Sequence, residues 1–380
     1  MFVKFRRPQR CHFVQVIFIG LMLSGIMLYW DKLNSFSFDN LSANPYHFLG
    51  MGPSFRNSSF TVSRAEARKF SNYHYLINHK NTCESSNVLL LLFVKSFPQN
   101  FARRQSIRLT WGNERYIDGE LGVSVKVLFA LGVHPHLKDR ALIQGQLFRE
   151  DQMYHDLIQQ SFIDSFYNLT TKLLLQINWA HTYCSHAHFL MSADDDMLIH
   201  MPNLVTYLKQ VHQAGTRDFW VGRVFNNTGP VRIKSSKYYV SPHLYPWDSY
   251  PAYTGGAGYV VSRDVASRIH QAALTLNATL HIDDVFMGIC ASVIGVAPKA
   301  HNFFSGEKKS PHHPCIYKQM MTSHGHESDL QELWGQATNP EVQKVDSGFT
   351  GKLYCSVIKC ALLCNPFIRN TYPCNPSTIF

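Results

Sequence analysis

Charge is what this chain has little of. Asp, Glu, Lys and Arg make up 16% of its 380 residues, while 45% are hydrophobic, against roughly a quarter charged in soluble globular chains. That balance excludes disorder, collagen and coiled coil as descriptions of the whole chain. There is no internal repeat and no low-complexity block. No pair of C-x-x-C units points to a structural zinc site. No Walker-type lysine loop and no GxGxxG follow the apolar run Val88–Val94, the first expected strand, which disfavours an ATPase or a dinucleotide oxidoreductase. The charge that is present leans positive, a formal +10, and fits a nucleic-acid or anionic-membrane partner only if it gathers on one surface.

Residues 11–30, CHFVQVIFIGLMLSGIMLYW, contain no Lys, Arg, Asp or Glu. At about 1.5 Å per residue they span a hydrocarbon core of about 30 Å. They end in Leu28, Tyr29 and Trp30 rather than in small residues, so they read as an uncleaved anchor rather than a signal peptide. Lys4, Arg6, Arg7 and Arg10 precede the segment, which places residues 1–10 in the cytosol and the rest on the lumenal side. Sequons at Asn40, Asn57, Asn168, Asn226 and Asn277 agree with that orientation. Leaving out Cys11, eight of the nine cysteines remain for an oxidising compartment, where disulfides form.

Residues 31–72 are rich in Ser, Asn, Gly and Pro and read as a stem. From Tyr73 the pattern alternates. Apolar runs at Val88–Val94, Val123–Leu131 and His188–Ala193 predict buried strands, and Phe101–Trp111, Asp139–Ile158, Asn168–His181 and Pro202–His212 predict helices. The expectation is an α/β domain over 73–348 with a mostly parallel central sheet and helices on both faces. An apolar, cysteine-rich extension follows over 349–380.

Asp194, Asp195 and Asp196 follow the apolar run FLM. Three adjacent carboxylates at the carboxyl end of a parallel strand repel one another unless a cation sits among them, and hard oxygen donors suit Mn²⁺ or Mg²⁺. The same residues fit a solvated acidic turn or a helix cap. Asp283 and Asp284 open an apolar helix pattern, where they either favour the helix dipole or supply a general base. Arg103, Arg104 and Arg108 cluster after Lys95; Arg104 and Arg108 share a helical face that could meet phosphates, or be a plain basic surface. YPAYTGGAGYVVS places Tyr253, Gly255, Gly256 and Gly258 in what reads either as a loop close to a ligand or as a glycine turn into a strand. His324 and His326 are candidate metal ligands that spacing does not separate.

In this order, RRQSIRLTWG, SADDDM, FWVGRV, YPAYTGGAGYVVS, DDVFMGIC and a late His resemble the β1,3-glycosyltransferase family of Golgi type II membrane enzymes, over roughly Tyr73 to Gln336. The resemblance implies a GT-A type fold, Mn²⁺ (or Mg²⁺) and UDP-N-acetylglucosamine as donor. It implies Asp196 and His324 as metal ligands and Asp284 as catalytic base. Asp194, Asp195, Lys95, Arg104 and Arg108 are the implied UDP-sugar contacts, and Tyr253, Gly255, Gly256 and Gly258 the donor or acceptor loop. YHYLINHK, DSFYNLTTKLLLQ, SSKYYVS and HPCIYKQMMTSHGH are similar to members that place N-acetylglucosamine in β1,3 linkage on the terminal galactose of lactosylceramide. That activity starts lacto- and neolacto-series glycosphingolipids at the Golgi membrane, and nucleic acid is not an expected partner. Transfer to glycoprotein glycans, β1,3-galactosyl transfer and non-catalytic glycan binding are the alternatives. Cys83–Cys184 and Cys290–Cys315 are the expected disulfides.

Overall fold

The computed structural model describes residues 73–84, 87–277, 279–305 and 309–363, together with Gly20, Met22, Ser24 and Gly25. The expected cytosolic tail and stem, the sequons Asn40 and Asn57, and Cys11, Cys364 and Cys374 lie outside them, as does most of the expected anchor. Gly20, Met22, Ser24 and Gly25 are helical, and the Ser24 hydroxyl donates to the Gly20 carbonyl one turn back. Among the described residues no helix is long and apolar enough to cross a membrane.

In chain order the elements are β1 Tyr75–Ile77, β2 Val88–Lys95, α1 Phe101–Arg108, α2 Glu114–Leu121, β3 Ser124–Val133, α3 Leu137–Tyr154, β4 Leu157–Ile163, α4 Leu169–Tyr183 and β5 Phe189–Asp194. Then come β6 Leu198–Ile199, α5 Met201–Gln213, β7 Trp220–Phe225, β8 Tyr253–Ser262, α6 Arg263–Ala273 and α7 Asp283–Val293. Last are β9 Lys299–Ala300, α8 Pro314–Tyr317, β10 Thr322–Ser323, α9 Leu330–Ala337, α10 Pro340–Lys344 and α11 Gly348–Leu363. The main sheet has eight strands in the order β1-β4-β3-β2-β5-β8-β7-β9. Strands β4, β3, β2 and β5 are mutually parallel, and β8 runs antiparallel between β5 and β7.

Strand β2 explains why both faces are covered. Every one of its residues is buried, and alternate side chains of a strand point to opposite faces. Leu91 and Phe93 join the core beneath α4, α6 and α7, whereas Leu90, Leu92 and Val94 join the core beneath α1, α2, α5 and α9. The expected α/β architecture with a mostly parallel sheet is therefore what the chain forms.

Some sequence expectations differ from the structure. The long helix stops at Tyr154, and Leu157–Ile163 forms β4, parallel to β3. Polar Gln159 and Gln160 disguise this strand, yet Gln159 is fully buried and satisfied by the Gly132 carbonyl and Gln144. The glycine segment is part of β8. One disulfide joins Cys83 to Cys184, as expected. The expected Cys290–Cys315 pair does not form: Cys315 bonds Cys355 with a Cα–Cα distance of 5.2 Å, while Cys290 is a buried free thiol in α7. Burial there raises the Cys290 pKa, so the thiol stays protonated. The Cys315–Cys355 bond fastens α11, and with it the start of the C-terminal extension, to the domain.

Candidate active site

Lys95 ends β2 and Asp194 ends β5, and the parallel register sets them side by side. This is the carboxyl edge of the parallel strands, where open α/β sheets bind ligands. The chain turns sharply after Asp194, with the Met197 amide donating to the Asp194 carbonyl at 3.4 Å. The indole of fully buried Trp111 donates to the Met197 carbonyl at 2.8 Å, so the tryptophan of the RRQSIRLTWG motif holds the carboxylate turn from behind. Thr322–Ser323 pairs with Leu198–Ile199, and this short ribbon carries the following residue, His324, to the same turn.

His324 Nε2 lies 3.3 Å from Asp196 Oδ1. Donor atoms of Asp194, Asp196 and His324 all fall within 4.8 Å of one another. Two carboxylates and one imidazole suit Mn²⁺ or a similar dication, so the residues present fit the implied metal. Burial works to raise the Asp196 pKa, but the hydrogen bond to His324 and the nearby Arg103 charge outweigh it and hold the pKa low. Asp194 moves the other way, raised chiefly by burial. His326 turns elsewhere: it is buried, with Ser323 at 2.7 Å and Asp329 at 3.1 Å, and its amide donates to the Asp196 carbonyl at 2.7 Å. It braces the turn, and His324 faces the carboxylates.

Lys95 ties the two acidic groups together. Its Nζ reaches Asp194 Oδ1 at 3.0 Å, Asp283 Oδ2 at 3.0 Å and the Gly256 carbonyl at 2.8 Å. Burial opposes the charge, yet Asp194 and Asp283 overcome it and keep the ammonium protonated. Asp283 is buried and committed to Lys95, whereas neighbouring Asp284 is only half-buried. Asp284 accepts from the Val285 amide at 2.7 Å and the Gly256 amide at 3.3 Å. Burial first, and the Asp283 charge second, push its pKa up to about 7. A half-buried carboxylate with a pKa near neutrality is suited to general-base work, whereas Asp283 is committed to Lys95.

The glycines of β8 make this approach possible. Register between β7 and β8 shifts where Val224 faces Thr254 and Gly222 faces Tyr259, so Gly255–Gly258 bulge from the ladder. A Cβ on Gly256 would lie 3.4 Å from both Lys95 Nζ and the Asp284 Cβ. Helix α7 packs against the same strand through Gly288, where an added Cβ would meet the Tyr253 Cβ at 2.6 Å and the Ala252 carbonyl at 3.1 Å. Gly288→Ala is therefore expected to displace α7, costing about 1–3 kcal/mol. It should also lower turnover more than a distant surface Gly→Ala, measured by urea unfolding and a transfer assay. Tyr253 itself is buried, stacked on Phe225 at 5.4 Å, with its hydroxyl accepting from Thr228; it is part of the packing beneath the glycine segment.

The other basic and acidic candidates separate. Asp195 is buried and accepts from Ser96, Asn100 and Arg103 at 2.7, 2.9 and 2.9 Å. It anchors the turn to α1. Arg104 and Arg108 are not brought to the carboxylates. Arg104, fully buried, donates twice to Glu150 at 2.7 and 2.6 Å, and Arg108 grips Glu150 and Asp156 over the Tyr154 ring. Arg103 is the basic residue of α1 that reaches the site, between Asp195 at 2.9 Å and Glu327 at 3.0 Å. Of the sequons among the described residues, Asn226 is exposed and Asn168 and Asn277 are half-buried.

The sequence profile of the galactosyltransferase family matches residues 102–302. The chain is 51% identical over 374 residues to lactosylceramide 1,3-N-acetyl-beta-D-glucosaminyltransferase A of Danio rerio, covering 98% of this chain and 99% of that protein. It is 50% identical over 374 residues to the lactosylceramide 1,3-N-acetyl-beta-D-glucosaminyltransferase of Rattus norvegicus, covering 98% of each. With the protein of that name from Homo sapiens it shares 49% identity over 379 residues, the full length of both.

Proposed function

The chain belongs to the galactosyltransferase family and is a glycosyltransferase that uses a nucleotide-sugar donor, and from this we propose its substrates and the roles of its residues. It transfers N-acetylglucosamine from UDP-N-acetylglucosamine, in β1,3 linkage, to the terminal galactose of lactosylceramide, with inversion at the anomeric carbon. The names of near-full-length relatives support the reaction. The observation that carries the site is one cluster that holds both a metal-competent trio and a raised-pKa carboxylate, joined through Lys95. The domain is of GT-A type, supported by an acidic turn that leaves parallel strand β5 beside antiparallel β8. Residues 11–30 anchor it in the Golgi membrane with the catalytic domain lumenal, which the charge-free segment and its basic flank support.

Asp284 accepts the proton of the galactose 3-hydroxyl as that oxygen attacks the anomeric carbon from the face opposite UDP. The new bond is β because the donor bond is α, and no covalent enzyme intermediate forms. Asp194, Asp196 and His324 would hold the dication, which would supply positive charge against the departing diphosphate. Lys95 fixes Asp194, Asp283 and the Gly256 carbonyl in one arrangement, so the base and the metal-binding edge keep their spacing. Arg103, partly exposed beside Asp195, adds positive charge on the same side.

A donor-by-acceptor assay tests the substrates: UDP-N-acetylglucosamine and UDP-galactose against lactosylceramide and N-acetyllactosamine chains. Preference for UDP-galactose, or indifference to lactosylceramide, would overturn the assignment. Chelation is expected to stop transfer and added Mn²⁺ to restore it. Asp196→Asn should raise the Mn²⁺ concentration for half-maximal activity by about 10-fold or more, read from metal titrations of initial rate.

A further inference from the structure

We propose that the chain carries a second divalent-cation site, made of His79, Asp151 and His155 and matched to Zn²⁺. It shares no residue with the catalytic cluster. The donor atoms of the three side chains lie within 4.8 Å of one another, and His79 Nε2 is 2.6 Å from Asp151 Oδ1. The His79 and His155 rings are 5.6 Å apart, nearly perpendicular. Two imidazoles and one carboxylate are the donors of a borderline dication, which binds them at about 2.0–2.2 Å. Three protein ligands leave a fourth position for water, the open rather than the closed form of a zinc site.

The backbone holds these donors in place before any ion arrives. Asp151 stands in the last turn of α3, and His155 caps that helix in the left-handed region, φ 54 and ψ 36, its amide donating to the Asp151 carbonyl at 2.9 Å. Glycine fills such a cap at least cost. Histidine there accepts the cost of positive φ and places a ring beside Asp151. His79 follows β1, and its carbonyl accepts from the Thr82 amide at 3.2 Å and the Thr82 hydroxyl at 2.8 Å. The Cys83–Cys184 disulfide anchors this turn to the end of α4. A surface hollow lined by Asn78, His79, Lys80, Thr82 and His155 opens the site to solvent, with His155 exposed. An ion here would clip the β1 turn to the end of α3, next to Asp156, which holds Arg108 at 2.7 Å.

Full-length protein carrying Asp196→Asn and His324→Gln removes the other cluster, and Zn²⁺ alone is the probe. Equilibrium dialysis with elemental analysis should find one Zn²⁺ per chain. Adding His79→Gln, or His155→Asn, which tolerates the left-handed cap, should weaken binding at least 10-fold. Co²⁺ in place of Zn²⁺ should give the visible absorption of a low-coordinate nitrogen–oxygen site, lost in the same variants. No Zn²⁺ uptake by folded protein, or uptake unchanged by both substitutions, would overturn the proposal and leave a His–Asp ion pair.

Discussion

Asp284→Asn is expected to lower transfer by about 10²–10⁴-fold, the range a positioned general base contributes, while UDP binding stays near normal. Asn keeps the volume and an oxygen for the Val285 or Gly256 amide, now at 2.7 and 3.3 Å, so the loss is of proton acceptance rather than of shape. In the wild type, transfer should fall as pH drops through the Asp284 pKa, pushed up to about 7 by burial and by Asp283. The stability effect has the opposite sense to the activity effect. A carboxyl whose folded pKa is raised holds a proton that the unfolded chain releases between about pH 4 and 7, so stability falls as pH rises across that window. Asn removes the penalty, and the variant should be more stable at pH 7, by on the order of a few kcal/mol at most, and no more stable at pH 4. Urea unfolding at both pH values, with initial rates and UDP titration, checks all three. Near-normal turnover would dismiss Asp284 as the base. Asp283→Asn makes the contrast: it takes a carboxylate from buried Lys95, so it should lose stability where Asp284→Asn gains it.

How much of this was legible in the chain depends on whether a residue's role is set locally or by a distant partner. Val88–Val94 and the FLM run before Asp194 announce buried strands because both faces of a parallel sheet are covered and the apolar run is unbroken. The strand Leu157–Ile163 did not show, because Gln159 hides inside it behind specific bonds to Gly132 and Gln144, with Gln160 buried beside it. Asp194, Asp196, Asp284, Lys95 and His324 were all marked by the family motifs and do converge. Arg104 and Arg108 carried the same motif evidence, but the face they present is decided by Glu150 on α3 and by Asp156, far along the chain. Arg103, one residue away, points to Asp195 instead. No pattern distinguishes neighbours on a helix until the opposing surface is known. The same holds for cysteines: Cys290 sits in an apolar helix face that becomes core and stays a free thiol, while Cys315 is taken by Cys355.

Glu150→Ala is expected to be the most destabilising single change on α3, about 3–5 kcal/mol. A natural domain has about 5–15 kcal/mol in all. Glu150 is buried and receives Arg104 through Nε and Nη2 at 2.7 and 2.6 Å and Arg108 through Nη2 at 2.6 Å. Arg108 keeps both Asp156 oxygens when Glu150 is lost. Arg104 does not: fully buried, it is left with the Phe97 and Pro98 carbonyls and Ser96 Oγ, none of which carries negative charge. An uncompensated guanidinium in the core sets the size of the effect. If so, removing that charge as well should recover much of the loss, and Arg104→Met with Glu150→Leu should be more stable than Glu150→Ala alone. The damage should also reach the site, because Ser96 Oγ accepts from Arg104 at 3.2 Å and donates to Asp195 at 2.7 Å. At temperatures where Glu150→Ala remains folded, its apparent KM for UDP-sugar should rise, and urea unfolding with a donor titration separates the two consequences. A Glu150→Ala protein as stable as wild type would mean that Arg104 is satisfied by the carbonyls of Phe97 and Pro98 alone.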